Sequence, residues 1–304
     1  MIEWLQSPQL TALLVNIFEQ GSLFGFLGLG VLITFRFFRF PDLTAEGSYP
    51  LGGAVVATLL VARVNPFVAT ALAALAGALA GMATALIHTK LKINNIISGI
   101  IVMTALYSTN LRVMGRANTP LLSTRSVFDD VADNLGVLGI RTQANALTDI
   151  LFLVVLLSLV GLALVAFLKT DLGLAVRATG ANEGMIRSLG VDTDQMKLIG
   201  LALSNAIIAL SGALVAQNHG FADIGMGIGV LVTGAAAVLI GEAIFGDRTV
   251  GWWTLAVVVG VVIYQLLVAL ALRFGLEPTD LKLITAALLL LALAAPRSRW
   301  RTAV

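Results

Sequence analysis

Residues 169–196, KTDLGLAVRATGANEGMIRSLGVDTDQM, form a polar segment between two long apolar stretches. The flanking stretches, near 146–168 and 197–217, have about the 20 residues that an α-helix needs to cross a bilayer. A polar segment enclosed by two such helices lies at a membrane surface. The pattern therefore predicts membrane-spanning helices joined by a shaped surface segment.

The composition of the whole chain indicates the same class. Hydrophobic residues make up 58% of the 304 residues and charged residues only 12%, which is too apolar for a water-soluble domain of this length. We therefore predict an all-α polytopic membrane protein. The absence of cysteine excludes disulfides and Cys-ligated metals. A net charge of +2 is not typical of a nucleic-acid-binding protein. Neither of the two histidines has other metal-ligating residues at a suitable spacing, so we expect no metal site.

A window of about 19 residues predicts about nine spans along the chain. They lie near 10–35, 46–63, 66–88, 93–110, 146–168, 197–217, 225–245, 250–272 and 280–296. The second opens on residues 47–53, which include Pro50, and the seventh opens on the glycine-rich residues 225–229. We predict that both are broken helices. Unwound backbone is tolerated at membrane depth only beside protein or a water-filled cavity, so such breaks point toward a pathway.

The placement of Lys and Arg predicts the orientation, because basic residues near span ends are retained on the cytoplasmic side. An odd number of spans puts the termini on opposite faces. Most of the 19 Lys and Arg residues fall inside when the C-terminus is cytoplasmic, among them Arg36, Lys90, Arg248 and the basic residues of 297–301. We therefore predict that the N-terminus is outside.

A faint internal symmetry suggests an inverted repeat within one transmembrane domain, 1–304. An Asp precedes a glycine-rich apolar span twice, at Asp42 and at Asp223. The predicted parts are a first half at 1–110, an external loop at 111–145, a connecting span at 146–168, a cytoplasmic segment at 169–196 and a second half at 197–304. The odd connecting span is what would invert the second half.

The cytoplasmic segment contains the signals of a short capped helix. Asn182 is suited to cap its start and Glu183 to occupy the first turn. Arg187 lies near its end, and Gly190 supplies the stop. Three apolar side chains at helical spacing, Met185, Ile186 and Leu189, form a stripe suited to a groove on a partner protein. The alternative is an interfacial helix resting on lipid headgroups.

Several motifs together resemble a known family. They are GLAVRATGANE at 173–183, SLGV at 188–191, Lys197, FPDLTAEGS at 40–48 and TKLKIN at 89–94. The chain is similar to ABC importer permeases of the branched-chain amino acid and ribose type, which have the type II importer fold. HTKLKIN at 88–94 and NLRVMGRAN at 110–118 most resemble the permeases paired with tryptophan/tyrosine-type substrate-binding lipoproteins.

The resemblance implies a multi-pass permease subunit of an ATP-driven importer in the bacterial cytoplasmic (inner) membrane. It would move an amino acid or similar small solute by alternating access, as a dimer with a second permease copy or with a sister permease. An extracytoplasmic binding protein would deliver the solute to the loops at 111–145 and 218–224. Because the chain contains no phosphate-loop motif, ATP and Mg would be bound by a separate ATPase, and we expect no catalytic site here.

The resemblance also implies roles for individual residues. Contact with the ATPase is expected at Arg177, Asn182, Glu183, Met185, Ile186, Arg187, Leu189 and Gly190. The substrate pathway is expected near the broken turns, at Glu46, Gly47, Ser48, Tyr49, Ser204, Asn205, Gln217 and Asn218, because polar groups at membrane depth are costly unless they have a function.

Purely structural roles compete with these assignments. Asp42 and Glu46 could instead pair with Arg36 and Arg39 at the inner rim. Gly77 and Gly81 fit close helix packing better than a pathway. The competing function is a proton-coupled secondary transporter that uses Glu19 or Glu46 and needs no ATPase.

Overall fold

The computed structural model describes residues 8–137, 145–246, 249–277 and 280–294. The elements are α1 Pro8–Leu32 with a π-helical turn at Ile33–Phe37, α2 Ala45–Val61, α3 Pro66–Lys90, α4 Asn95–Met114, β1 Asn118–Pro120, α5 Val127–Val137, α6 Asn145–Lys169, α7 Asp171–Ala181, α8 Glu183–Ser188, α9 Thr193–His219, β2 Phe221–Asp223, a 3₁₀ turn at Ile224–Gly227, α10 Val230–Phe245, α11 Val250–Arg273 and α12 Leu281–Ala294.

Seven of these helical segments are long and apolar enough to cross a membrane. They lie at Thr11–Phe37, Pro66–Lys90, Asn95–Met114, Ala146–Lys169, Thr193–His219, Ile224–Phe245 and Val250–Arg273. The all-α polytopic class is confirmed. The other two predicted spans coincide with α2 and α12, which have only 17 and 14 residues. The count of nine therefore stays a prediction.

Helix α9 is the centre of the bundle and runs antiparallel to both α1 and α3. Its last turn meets α1 through Asn218 and Glu19, 2.6 Å apart, and its first turns meet α3 through Lys197 and His88, 3.3 Å apart. With 27 residues at about 1.5 Å each, α9 is about 40 Å long. The bundle therefore has two well-separated ends, one beside α8 (the α8 end) and one beyond His219.

The end beyond His219 carries a two-stranded antiparallel ladder. β1 pairs with β2 in the register Asn118 with Asp223 and Pro120 with Phe221. The Asn118 side-chain amide also donates to the Asp223 carboxylate at 3.1 Å. This ladder joins the two loops, 111–145 and 218–224, that are predicted to form one receiving surface. We call this end the ladder end.

Glycines allow α3 to lie directly against α9. A Cβ added at Gly81 would clash with the carbonyl oxygen of Leu201, and one at Gly77 would clash with Ala209 and the Asn205 carbonyl. The packing role of these two glycines is confirmed. Such close approach of small residues is how membrane helices gain van der Waals contact without a hydrophobic driving force.

Replacing Gly81 by Ala is expected to destabilise the permease by about 1–3 kcal/mol, since a core overpacked against backbone cannot relax cheaply. Gly251→Ala is the matched control. It also lies in a helix, but an added Cβ would first meet Val165 at 3.8 Å, so the better helix propensity of Ala should leave stability unchanged or higher. Thermal unfolding in detergent measures both; equal melting temperatures would contradict the packing role.

The predicted break at 47–53 is wrong. Helix α2 runs unbroken from Ala45 to Val61 with Pro50 inside it. Pro50 cannot donate to the Glu46 carbonyl four residues earlier, and that carbonyl lies against Gly227. Contacts from neighbouring elements stabilise this part of α2, since the Gly47 carbonyl also accepts from the Asn110 side chain at 3.2 Å. The irregular backbone lies before α2, at residues 38–44, where the chain reverses direction after the π-helical turn that ends α1.

The predicted break before the seventh span is confirmed. The 3₁₀ turn Ile224–Gly227 is followed by Gly229 in the left-handed conformation, with φ of 82°, and α10 starts only at Val230. The start of α10 meets the start of α2, because the Glu46 carboxylate accepts from the Gly229 amide at 3.2 Å and the Glu46 carbonyl lies against Gly227.

Helices α1 and α12 place the two ends of the described chain at opposite ends of the bundle. α1 begins beside the ladder end, as its contact with Asn218 shows. α12 begins beside the same end, because Thr285 bonds Tyr264 late in α11 at 2.6 Å, and it runs back toward the α8 end. Arg248 and the basic residues of 297–301, which carry part of the orientation prediction, lie outside the described residues.

Candidate functional site

Helix α8 has the caps that the sequence predicts. The Asn182 side-chain oxygen accepts from the Met185 amide at 3.0 Å, which satisfies one of the free donors of the first turn. Gly190 follows the last turn with φ of 86°, a conformation that favours glycine. A helix of only six residues is not stable by itself, so these caps and the surrounding contacts must hold it.

A charged network ties α8 to the bundle. The Glu183 carboxylate lies 2.8 Å from Lys197 Nζ and 3.1 Å from the Arg187 guanidinium. Arg187 also donates to Thr193 Oγ1 at 2.8 Å. Lys197 reaches His88 Nε2 at 3.3 Å. The first turn of α8 is therefore linked through α9 to the end of α3.

Two opposing effects act on the Glu183 carboxyl group. Partial burial raises its pKa, but the hydrogen bond and charge of Lys197, with the further contributions of Thr193 and Arg187, lower it more. The net pKa of Glu183 lies below its usual range. The network is therefore intact at neutral pH, and its contribution to stability is lost only as the pH falls through that lowered value.

The outer face of α8 offers apolar side chains to a partner. Met185 is 58% exposed and Leu189, just after the last turn, is 67% exposed. Ile186, the third member of the predicted stripe, is half-buried. The structure therefore presents two of the three predicted side chains to a partner.

Arg177, which the resemblance groups with these residues, lies elsewhere. It belongs to α7, and its guanidinium sits 5.8 Å from the centre of the Phe37 ring. Together with Arg36 and Arg39 it lines a small hollow beside the start of α11. The structure therefore does not bring Arg177 together with the α8 residues.

Two of the predicted pathway residues bond directly to each other. Ser48 donates to the Asn205 side-chain oxygen at 2.7 Å, and Asn205 donates to the Asp42 carboxylate at 2.7 Å. All three are buried, with at most 1% exposed. Asp42 also accepts from the Thr44 amide at 2.9 Å. These bonds hold the irregular segment 38–44 against α2 and α9, which favours a structural role.

The alternative in which Asp42 and Glu46 pair with Arg36 and Arg39 is wrong. Asp42 is held by Thr44 and Asn205, and Glu46 faces the Gly229 amide. Arg36 instead pairs with Glu242 at 3.4 Å. The reason is that the chain reverses at 38–44, which turns both acidic side chains toward the interior of the bundle and away from the end of α1.

The other predicted pathway residues also bond to neighbouring elements. Ser204 donates to the Gly30 carbonyl at 2.8 Å, Gln217 donates to Thr70 at 2.9 Å and accepts from the Val127 amide at 3.0 Å, and Asn218 donates to Glu19. Tyr49 is buried and stacks on Phe24, and Gly47 packs against Leu106. Glu46 is half-buried at the meeting point of α2 and α10.

The sequence interpretation misses how His88 and Asp42 contribute. His88 donates from Nδ1 to the Ile93 carbonyl at 2.7 Å and accepts at Nε2 from Lys197 at 3.3 Å, so it fixes the α3–α4 turn to α9. The sequence interpretation offers no contact for the Asp42 side chain other than an ion pair at the inner rim. An Asp two residues before Thr44 favours a local turn in which the Asp side chain accepts from the Thr44 amide. This spacing is visible in the sequence.

The long apolar helices, the half-buried break before α10 and the exposed capped α8 define a transport permease subunit that crosses the membrane several times. The chain belongs to the family described as branched-chain amino acid transport system / permease component, whose model matches residues 13–294. The resemblance found in the sequence is thereby confirmed.

Two relatives of this chain are also permease proteins. The tyrosine transport system permease protein of Clostridioides difficile (strain R20291) is 41% identical over 281 residues, which cover 92% of this chain and 90% of that protein. The ribose import permease protein RbsC of Escherichia coli K12 is 27% identical over 229 residues, 75% of this chain and 68% of that one.

A solved structure has the same fold. PsaBC from Streptococcus pneumoniae in complex with Fab matches with a TM-score of 0.55, covering 98% of this chain and 96% of that one. The two sequences are only 15% identical, so this likeness extends to the fold alone.

Proposed function

We propose that this chain is the permease subunit of an ATP-driven ABC importer in the bacterial cytoplasmic membrane, and that α8 is its contact with a separate ATPase. The observation that carries the proposal is the exposed, capped helix α8 with Met185 and Leu189 on its free face. A secondary transporter has no need of such a helix at one end of the bundle. Binding of ATP and Mg belongs to the partner.

The ladder end is proposed to receive an extracytoplasmic binding protein. The pairing of β1 with β2 makes a single surface from two loops that are far apart in sequence. It lies about 40 Å from α8, across the length of α9. A signal from the binding protein to the ATPase would therefore have to pass along the helices.

An inverted repeat is supported by the two short helices that begin inside the bundle. α1 is followed by a reversal at 38–44 and then α2, and α9 is followed by the ladder strand, a 3₁₀ turn and then α10. The starts of α2 and α10 meet through Glu46 and Gly229. We propose that the halves 1–110 and 197–304 rock about this meeting point, in a dimer with a second permease copy.

The substrate is proposed to be an amino acid of the aromatic class. This rests on the 41% identity to a protein named as a tyrosine transport system permease. Selectivity in such a system would lie mainly with the binding protein. Thermal stabilisation of that binding protein by tyrosine, tryptophan or a branched-chain amino acid identifies the class.

Uptake into proteoliposomes tests the function. The permease is reconstituted with its ATPase and the loaded binding protein, and labelled tyrosine inside the vesicles is measured. We expect uptake with ATP and Mg but not under a proton gradient alone. Accumulation by the permease alone under a proton gradient would instead support the secondary transporter, with Glu19 or Glu46 as its carboxylate.

The double variant Met185→Asp/Leu189→Asp is expected to abolish recovery of the ATPase with the tagged permease, because a charge would replace each apolar contact. Leu122→Asp is the matched control, since Leu122 is 89% exposed in the loop beside the ladder. Co-purification from detergent measures both. Equal ATPase recovery with the double variant and the control would contradict docking on α8.

A further inference from the structure

A hollow lined by three arginines lies at the α8 end, apart from α8 itself. Arg36, Arg39 and Arg177 line it together with Phe37, Ala181, Val250 and Trp253, and its volume is about 210 Å³. None of these seven described side chains is a carboxylate. The hollow collects three guanidinium groups from two elements, the turn after α1 and helix α7.

Arg36 is held in a fixed position within this hollow. Its guanidinium pairs with Glu242 at 3.4 Å and lies 4.3 Å from the centre of the Trp253 ring. Trp253 is only 3% exposed, so it supports the arginine from within the bundle. A preorganised guanidinium suits a phosphate, which it can bind through two parallel hydrogen bonds.

Among the described residues, positive charge predominates at the hollow. Glu242 offsets one of the three guanidinium charges, through Arg36. Arg39 and Arg177 add two more cations at the same hollow. An anion placed there would meet complementary charge on two sides.

An apolar groove of about 740 Å³ begins beside the hollow. Val250 and Trp253 line the hollow, and their neighbours Gly251 and Thr254 line the groove. The groove lies between α1, α6 and α11, and Phe18 and Leu162 on its walls are exposed. The two features therefore share the first turns of α11.

The length of the groove matches one leaflet. Its lining on α11 extends from Gly251 to Val262, a rise of about 16 Å. The hydrocarbon of a single leaflet is about 15 Å thick. An acyl chain that starts at the level of the arginines would fill this groove, whereas a free phosphate would leave it empty.

We propose that the hollow and the groove together bind one anionic phospholipid, with its phosphate between the arginines and an acyl chain along α11. Basic pockets between membrane helices bind anionic lipid headgroups. The site lies at the same end of the bundle as α8, through α7, which directly precedes α8. A bound lipid would therefore brace α7 against α1 and α11.

Native mass spectrometry of the full-length permease in detergent tests the site. The probes are short-chain phosphatidylglycerol, phosphatidylcholine with the same chains, and inorganic phosphate. We expect phosphatidylglycerol to bind more tightly than phosphatidylcholine. Arg39→Gln/Arg177→Gln should weaken it about 30-fold, the effect of two basic residues. Gly251→Leu, which fills the groove, should weaken it as well.

Two controls distinguish the effect of charge at this site from a general effect of charge on lipid binding and from misfolding. Arg39→Lys/Arg177→Lys keeps both charges and should retain most of the binding, which shows that the site is intact. Arg63 and Arg116 line a pocket with Pro120 at the ladder end, so Arg63→Gln/Arg116→Gln should leave lipid binding unchanged. Equal binding of phosphatidylglycerol by all variants, or inorganic phosphate competing as well as the lipid, would overturn the proposal.

Discussion

Replacing Glu183 by Lys should abolish the stimulation of ATP hydrolysis by substrate-loaded binding protein, with a loss of at least about tenfold. The substitution puts a third cation beside Lys197 and Arg187, which now lie 2.8 and 3.1 Å from the carboxylate. The Lys197 side chain is only 11% exposed. Breaking a buried pair costs about 3–5 kcal/mol, and we reduce this to about 2 kcal/mol because the Glu183 side chain is 41% exposed.

The physical reason is that α8 is too short to hold its own position. A helix of six residues does not persist without tertiary contacts. Its link to α9 and α3 passes through Glu183, Lys197 and His88. Without this link, movement of α8 by the ATPase would no longer move the spanning helices, and the unstimulated ATPase rate would remain.

Asp171→Lys is the matched control for this variant. Asp171 is an exposed acidic residue in the first turn of α7, so its loss carries the same helix-dipole penalty without breaking a pair to α9. The exchange Glu183→Lys/Lys197→Glu should restore part of the stimulation, because it rebuilds the pair. Normal stimulation in Glu183→Lys, or loss of the same size in Asp171→Lys, would refute the role of the network.

The sequence predicts correctly the elements that have strong local signals. The caps of α8 at Asn182 and Gly190 are predictable because each depends on a single residue type in a fixed backbone conformation. The long spans are predictable because only a membrane-spanning helix needs an unbroken apolar run of about 20 residues. The packing role of the glycine pair 77 and 81 is predictable as well, since small residues at this spacing form a flat surface on one helix face.

The sequence predictions fail where tertiary contacts, and not local sequence, determine the conformation. The sequence 47–53 contains three glycines and a proline, which locally favour a break, but packing of Gly52 against the Ala209 carbonyl and the bond from Asn110 to Gly47 keep α2 helical. The partner of Asp42 is Asn205, 163 residues away. No local sequence pattern predicts a contact between residues that are so far apart in the sequence.

The same contact leads to the second large effect: Asn205→Ala should lower the stability of the permease by about 3 kcal/mol. The change removes the donor to Asp42 and the acceptor for Ser48, both buried. A buried group that loses its partner costs about 1–3 kcal/mol, and more when it is charged. For a chain of this size, about 3 kcal/mol corresponds to roughly 6–12 °C in melting temperature.

Thermal unfolding of the purified permease in detergent distinguishes a structural role of Asn205 from contact with substrate. Asn218→Ala, which breaks one bond to Glu19 at the half-buried ladder end, is the matched control and should cost only about 1 kcal/mol. Adding Asp42→Asn to Asn205→Ala should recover part of the loss, because the buried carboxylate is then neutral. An unchanged melting temperature together with a raised KM for uptake would show instead that Asn205 contacts the substrate.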